Sequence, residues 1–230
     1  MSVKVILWDI DATLLNFEAA EREGIRMGFE AFGLGLCTDE MIARYSVINR
    51  KYWEALERGE MTKPEILVGR FREFFESEGL PVAVAPAFND LYQVNLGETI
   101  CFYDNAYDLV KSLKGRVLQY AASNGTRIAQ EKKLDKSGLG ALLDGAFISE
   151  IIGAEKPTAG FFDAVFAALP EYDRDEFLIV GDSLTSDIRG GIRADIRTCW
   201  YNPQSKPNTT GEQADYEIRN LWEVPELLEQ

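Results

Sequence analysis

The sequence predicts an α/β fold, a doubly wound and mostly parallel sheet with an inserted α-helical cap domain. Three observations predict it. The chain opens on Val3-Lys4-Val5-Ile6-Leu7-Trp8, apolar at five of six positions, a run that suits a strand buried on both faces. From Asn105 onward strand and helix patterns alternate, which implies βαβ units with right-handed crossovers. Between the two, apolar residues recur at helical spacing with little strand signal. The expected division is a core of residues 1–15 and 98–230 around a helical cap of residues 16–97.

In the insert, Glu18 to Phe32 places Ala19, Ile25, Phe29 and Phe32 among charges, and Asp39 to Leu56 carries Ile42, Tyr45, Ile48, Tyr52, Trp53 and Leu56. Thr62-Lys63-Pro64-Glu65 reads as a helix start, with Thr62 as cap and Glu65 closing a capping box. Ile66, Arg70, Phe71, Phe74 and Phe75 follow, Gly79-Leu80-Pro81 ends that helix, and another spans Pro86 to Leu96. The aromatic residues, Tyr45 and Trp53 included, are expected in the core of this unit.

After the insert, helices are expected over Ala106–Leu113, Arg127–Lys136 and Ala159–Leu169, and from about Ser186. Strands are expected over Val117–Ala121, Ala146–Ser149, Phe177–Val180, Ile196–Tyr201 and Tyr216–Ile218. Asn202 to Gln213 is a polar loop, and a helix closes the chain. Gly190-Gly191 reads as a helix end, since two glycines inside a helix cost about 2 kcal/mol relative to alanine. Open sheets of this kind bind ligands beyond the carboxyl ends of their strands, where the insert would sit as a cap.

Composition narrows the chemistry. A formal charge of −14 over 230 residues argues against a broad surface for nucleic acid or acidic membrane. An anionic substrate then needs a local positive site from a metal, a lysine or backbone N–H groups. There is no histidine, so Ser-His-Asp and Cys-His catalysis and imidazole metal sites are excluded. Cys37, Cys101 and Cys199 are odd in number and far apart, which suits neither a disulfide framework nor a zinc site and points to a reducing cytoplasm. No apolar run approaches the ~18 residues of a membrane helix, and no signal peptide is expected before a strand that begins at Val3.

Four expected strand ends or adjacent loops carry polar residues: Asp9/Asp11/Thr13, Ser123-Asn124-Gly125, Lys156-Pro157, and Gly181-Asp182-Ser183-Leu184-Thr185-Ser186-Asp187. If strand geometry persists through Ile10, Asp9 and Asp11 point to one side, where they raise each other's pKa unless a cation lies between them. Each group alone has a structural alternative: a polar strand exit, a turn, a solvated lysine, helix-capping acids. Together, at successive strand ends, they suit phosphoryl transfer. Asp9 and Asp182 would hold Mg²⁺, which prefers oxygen ligands. Ser123, Asn124 and Lys156 supply a hydroxyl, turn N–H groups and an ammonium for phosphate oxygens. A carboxylate can attack phosphorus, and its neighbour two residues on can serve as acid and then base.

These four strings resemble the motifs of the haloacid dehalogenase-like (HAD) hydrolases, and the insert resembles the helical C1 cap of their subfamily I. The resemblance covers essentially the whole chain and implies a Rossmann-like core. It implies that Asp9 is nucleophile and Mg²⁺ ligand, and that Asp11 is general acid/base and lends its carbonyl to the metal. It further implies that Thr13, Ser123, Asn124 and Lys156 bind the phosphoryl group, with Lys156 offsetting the charge of Asp9. Asp182 would ligate Mg²⁺, and Asp187 would orient a metal-bound water. Ala12 stands where the family commonly has Gly. Gly181 to Asp187, with Thr198-Cys199-Trp200-Tyr201-Asn202-Pro203, resembles the pyrimidine 5′-nucleotidase branch, which includes phosphatases for non-standard nucleotides.

The expectation is therefore a Mg²⁺-dependent phosphomonoester hydrolase acting through an aspartyl phosphate. Its substrate would be a small phosphate ester, a nucleoside monophosphate first, and the protein a monomer or homodimer. A sugar-phosphate phosphatase or phosphomutase of the same superfamily keeps every motif residue. A 2-haloacid dehalogenase needs neither a leaving-group proton nor Mg²⁺, so Asp11 would be superfluous. A phospho-receiver signalling module also pairs acids at its first strand, but is far shorter and has no cap.

Overall fold

In the computed structural model, which describes residues 2–228, six strands form one sheet: β1 (Val5–Trp8), β2 (Leu118–Ser123), β3 (Gly145–Ile148), β4 (Phe177–Gly181), β5 (Arg197–Tyr201) and β6 (Tyr216–Ile218). Ten α-helices are described: α1 (Phe17–Phe32), α2 (Asp39–Glu57), α3 (Lys63–Ser77), α4 (Ala85–Asn95), α5 (Ala106–Leu113), α6 (Arg127–Ser137), α7 (Ser149–Ile152), α8 (Ala159–Ala168), α9 (Arg189–Ala194) and α10 (Val224–Leu227). The strand order is β3-β2-β1-β4-β5-β6 and every pairing is parallel. This is the Rossmann-like, doubly wound order, with its switch point beside β1.

β1 is buried at all four positions, and its side chains alternate between two cores. Ile6 and Trp8 pack with Leu109, Val110 and Leu113 of α5 and with Leu221 and Val224 near the C-terminal end. Val5 and Leu7 pack on the other face with Phe161, Phe162 and Val165 of α8 and Ala194 of α9. A strand covered on both faces has no polar side chain until it leaves the sheet. That happens at Asp9, whose N–H extends the ladder by one step to Val180 O at 2.9 Å.

The chain divides into two compact units, Met1–Phe17 with Ile100–Gln230, and Glu18–Thr99. Where it leaves and rejoins the sheet unit, Asn16 N donates to Cys101 O at 2.8 Å, and Leu15 pairs antiparallel with Phe102. The second unit is helical. Phe29, Tyr45, Phe71, Phe74, Phe75, Phe88 and Tyr92 are buried in its core, with Tyr45 stacked on Phe71 at 4.9 Å. Trp53 is only half-buried, its ring 5.9 Å from the Arg70 guanidinium. The capping box forms as expected, Thr62 N donating to Glu65 Oε2 at 2.8 Å.

Several local expectations are corrected. β1 begins at Val5 rather than Val3, and Ser149 opens the short α7 instead of ending a strand. The segment after β4 turns helical at Leu184, as a wide π-turn through Ile188 ahead of α9. Gly190 and Gly191 do not end a helix; both are buried within α9. A Cβ on Gly190 would lie 2.7 Å from the Phe162 ring, and one on Gly191 would lie 2.5 Å from Thr198 Cγ2 and 2.7 Å from Ile179 Cγ2. Helix α9 approaches the sheet so closely that only hydrogen fits there.

Candidate active site

Asp9 leaves the sheet at the switch point, and its buried carboxylate is held from two sides. Lys156 Nζ donates to Oδ1 at 3.0 Å, and Thr13 Oγ1 donates to Oδ2 at 3.0 Å. The backbone then turns: Ala12 adopts φ +67°, a left-handed conformation that costs a non-glycine residue about 1–2 kcal/mol. That is a physical reason for glycine to be common at this position. Burial pushes the Asp9 carboxyl from 3.8 up to about 7; Lys156 opposes this, and the charges of Asp187 and Asp11 add to it.

Thr13 is wholly buried. Its hydroxyl proton goes to Asp9, and its oxygen accepts from Asp182 N at 3.1 Å. A hydroxyl has one proton to give, and this one ties the turn after β1 to the turn after β4.

Asp11 faces a different set of partners. Its Oδ2 accepts from Gln130 Nε2 at 2.6 Å, and its Oδ1 accepts from Lys133 Nζ. Both donors lie on α6, three residues apart and hence on one face. The two acids of the first motif thus have separate lysines.

Lys156 is buried, and its ammonium donates to Asp9, to Ala122 O at 2.5 Å and to Asp187 Oδ1 at 2.5 Å. Burial works to lower its pKa, but Asp187 and Asp9 outweigh this and raise it. All three ammonium protons are given to protein oxygens, which sets the positive charge of Lys156 directly beside Asp9. Asn124 is likewise turned inward: it donates to Lys156 O at 2.8 Å and to Ser186 Oγ at 3.3 Å, and accepts from Lys156 N at 2.8 Å. Its side chain shapes the Lys156 loop. Ser123 is buried at the end of β2, its oxygen accepting from Gly125 N at 3.0 Å.

At the end of β4, Asp182 is held through its main chain, with N bonded to Thr13 and O accepting from Trp200 Nε1 at 2.9 Å. Its carboxyl is pushed well above the usual range by burial and by the charges of Asp9 and Asp187, with Lys206 and Lys156 opposing. The π-turn curls Asp187 back, so that Ser183 N donates to its Oδ2 at 3.1 Å while Oδ1 faces Lys156. Carboxylate oxygens of Asp9, Asp182 and Asp187 all lie within 4.8 Å of one another. Three carboxylates face the one buried ammonium of Lys156, which cannot balance them alone. An all-oxygen donor set short of positive charge fits a hard divalent cation.

The sequence-predicted residues thus meet at one place, with Gln130 and Lys133 as additions. A signal for these two existed. α6 buries Ala129, Gln130, Lys133, Leu134 and Ser137, so polar residues occupy positions where the helical period calls for apolar ones.

The haloacid dehalogenase-like hydrolase family model matches residues 3–195. The HAD-hydrolase YfnB of Bacillus subtilis is 37% identical over 225 residues, spanning 98% of this chain and 95% of YfnB. A crystal structure of YfnB bound to magnesium matches with a TM-score of 0.92 at 36% identity, covering 100% of both chains. The pyrimidine 5′-nucleotidase PynA of Streptococcus pneumoniae is 33% identical over 237 residues, covering 100% of this chain and 96% of PynA. The pyrimidine 5′-nucleotidase YjjG of Escherichia coli is 28% identical over 224 residues, 97% of this chain and 96% of YjjG. On these matches and on its fold, the chain is an enzyme that belongs to the haloacid dehalogenase-like hydrolases, near their pyrimidine 5′-nucleotidase branch.

Proposed function

We propose that this enzyme is a Mg²⁺-dependent phosphomonoester hydrolase acting on nucleoside 5′-monophosphates, pyrimidine ones first. The observation that carries the reading is the Asp9–Asp182–Asp187 cluster with Lys156 at its base. It offers oxygen ligands for a cation and a carboxylate poised beside it. Asp9, the Asp11 carbonyl and Asp182 would hold Mg²⁺, which when bound lowers the charge repulsion between phosphate and carboxylates.

Asp9 attacks phosphorus, and the P–O bond to the leaving group breaks as the aspartyl phosphate forms. Lys156 and Thr13 hold the two Asp9 oxygens in place for that attack. Asp11 gives a proton to the departing ester oxygen and then takes one from the water that cleaves the intermediate. Ser123, whose oxygen already accepts from Gly125 N, turns its proton toward a phosphoryl oxygen. The helical unit is assigned the choice of leaving group. The free thiols of Cys37, Cys101 and Cys199 suit work in the cytoplasm.

The test is phosphate release from a monoester panel of nucleotides and sugar phosphates, with and without Mg²⁺. Expected are Mg²⁺-dependent release, a preference for nucleoside 5′-monophosphates, and loss of activity in Asp9→Asn by ~1,000-fold or more. Full activity in Asp9→Asn, with deamidation excluded by mass spectrometry, overturns the assigned nucleophile. Preference for sugar phosphates overturns the substrate class alone.

A further inference from the structure

We propose that Gln130 and Lys133 are positioning residues that fix the Asp11 carboxylate for proton transfer. This rests on the phosphatase reading with Asp11 as acid and base. Asp11 stands apart from the three-carboxylate cluster, and it sits on a turn whose next residue, Ala12, is left-handed. Its side chain is about a quarter exposed, at 24%. The two donors from α6 fix its side-chain torsions by taking one carboxylate oxygen each.

The surroundings are built for that task. Lys133 is buried at 1% exposure, on a helix face where an apolar residue would pack at no electrostatic cost. Its ammonium also lies 5.4 Å from the centre of the Phe17 ring, a desolvated contact that favours the cation. Gln130, also 1% exposed, leaves its own Oε1 buried without a partner. Its amide orientation is thus set by the bond to Asp11 at the expense of its own oxygen. Gly125 makes room for that amide: a Cβ there would lie 2.2 Å from Gln130 Nε2. The glycine of Ser123-Asn124-Gly125 thereby acquires a role that a turn alone does not require, since it lets α6 bring its polar face to Asp11.

Leaving-group chemistry separates this role from a merely structural one. p-Nitrophenolate departs without a proton, whereas the alkoxide of a nucleoside 5′-monophosphate needs one. Wild type, Lys133→Met, Lys133→Arg and Gln130→Leu are compared in single turnovers with excess enzyme and Mg²⁺. For Lys133→Met, nitrophenolate release, which reports attack by Asp9, is expected within about threefold of wild type. Nucleoside release should fall ~10–100-fold, the scale of a misplaced catalytic group, with the enzyme concentration for half-maximal rate little changed. Gln130→Leu falls the same way by less, and Lys133→Arg recovers most of the loss. If Lys133→Met does not fold, Lys133→Arg and Gln130→Leu carry the same comparison. Equal losses on both esters in an active enzyme overturn the positioning role and leave the phosphatase reading standing. No release from either ester by wild type overturns both.

Discussion

The side-chain amide of Asn124 spans Lys156, accepting from its N–H and donating to its carbonyl, each at 2.8 Å. Asn202 grips Lys206 in the same way, at 2.8 Å and 3.0 Å. A primary amide is complementary to the N–H and C=O of one residue, so each asparagine fixes where a lysine starts. Asn124→Ala would leave both main-chain groups of Lys156 without their partner. Each such group costs about 1–3 kcal/mol when buried, and Asn124 is half-buried, so water can take over part of the role. The expected loss is about 2 kcal/mol in urea unfolding, with a fall in kcat as Lys156 drifts from Asp9. Unchanged kcat would show that the loop holds Lys156 without Asn124.

Thr13 separates a positioning role from a binding one. Thr13→Val keeps the shape and removes the hydroxyl that bonds Asp9 and Asp182 N. A phosphate-binding hydroxyl would show itself in KM. The geometry instead predicts a kcat fall of about tenfold with KM held, because the Asp9 oxygen loses one of its fixed partners. Thr13→Ser should restore most of it. A rise in KM at constant kcat would return Thr13 to the substrate.

Stability without metal should depend on pH in an unusual direction for a carboxylate. The Asp9 carboxyl is raised from 3.8 to about 7, burial being the main cause. Between these values the folded protein holds a proton that the unfolded chain has lost. Its contribution to stability therefore falls as pH climbs from about 4 to about 7, and the penalty is complete above that range. Asp182 shifts the same way. Exposed acids such as Glu60 and Glu65, lowered by hydrogen bonds to their neighbours, act oppositely, so a difference measurement is needed. In EDTA, Asp9→Asn should raise Tm over wild type near about pH 8 and lose that advantage near about pH 5. Mg²⁺ should stabilise wild type more at the higher pH. A lower Tm for Asp9→Asn near about pH 8 would contradict the burial cost assigned to this carboxylate.

The sheet and the core of the site were legible in the sequence because both are written in local patterns. β1 is an apolar run leading to Asp9, Ala106–Leu113 is a helix to the residue, and the four polar strings sit at strand ends or, for Lys156-Pro157, in the loop that follows β3 and α7. What escaped depends on tertiary approach. Gly190 and Gly191 look like a helix end until α9 is seen against Ile179 and Thr198. Asn124 and Lys156 were expected at phosphate by residue type and Thr13 by the family resemblance. Their hydrogen bonds, spent on one another's main chain and on Asp9, are visible only once the strands are paired. Lys133 and Gln130 lie outside every motif and meet Asp11 across more than a hundred residues of chain.

Gly181 offers a steric test of the acidic cluster that leaves its charges intact. It is the last residue of β4, and a Cβ built on it would fall 2.2 Å from Asp187 Oδ2 and 2.3 Å from its Cγ. Strand Gly181 is fixed by its pairing with Trp200, so the carboxylate must give way. Moving it breaks the bond from Ser183 N at 3.1 Å and disturbs the Lys156–Asp187 pair at 2.5 Å. Lys156 then keeps only Asp9 and the Ala122 carbonyl, and the cluster that would receive Mg²⁺ loses its geometry. Gly181→Ala is expected to raise the Mg²⁺ concentration for half-maximal activity about tenfold or more, the scale seen when partners of metal ligands are lost. The fold should survive, since overpacking by one methyl costs about 1–3 kcal/mol. Titrating activity against Mg²⁺ in both proteins, with circular dichroism as a check on folding, decides the matter. An unchanged midpoint would mean that Asp187 has no part in holding the cation site.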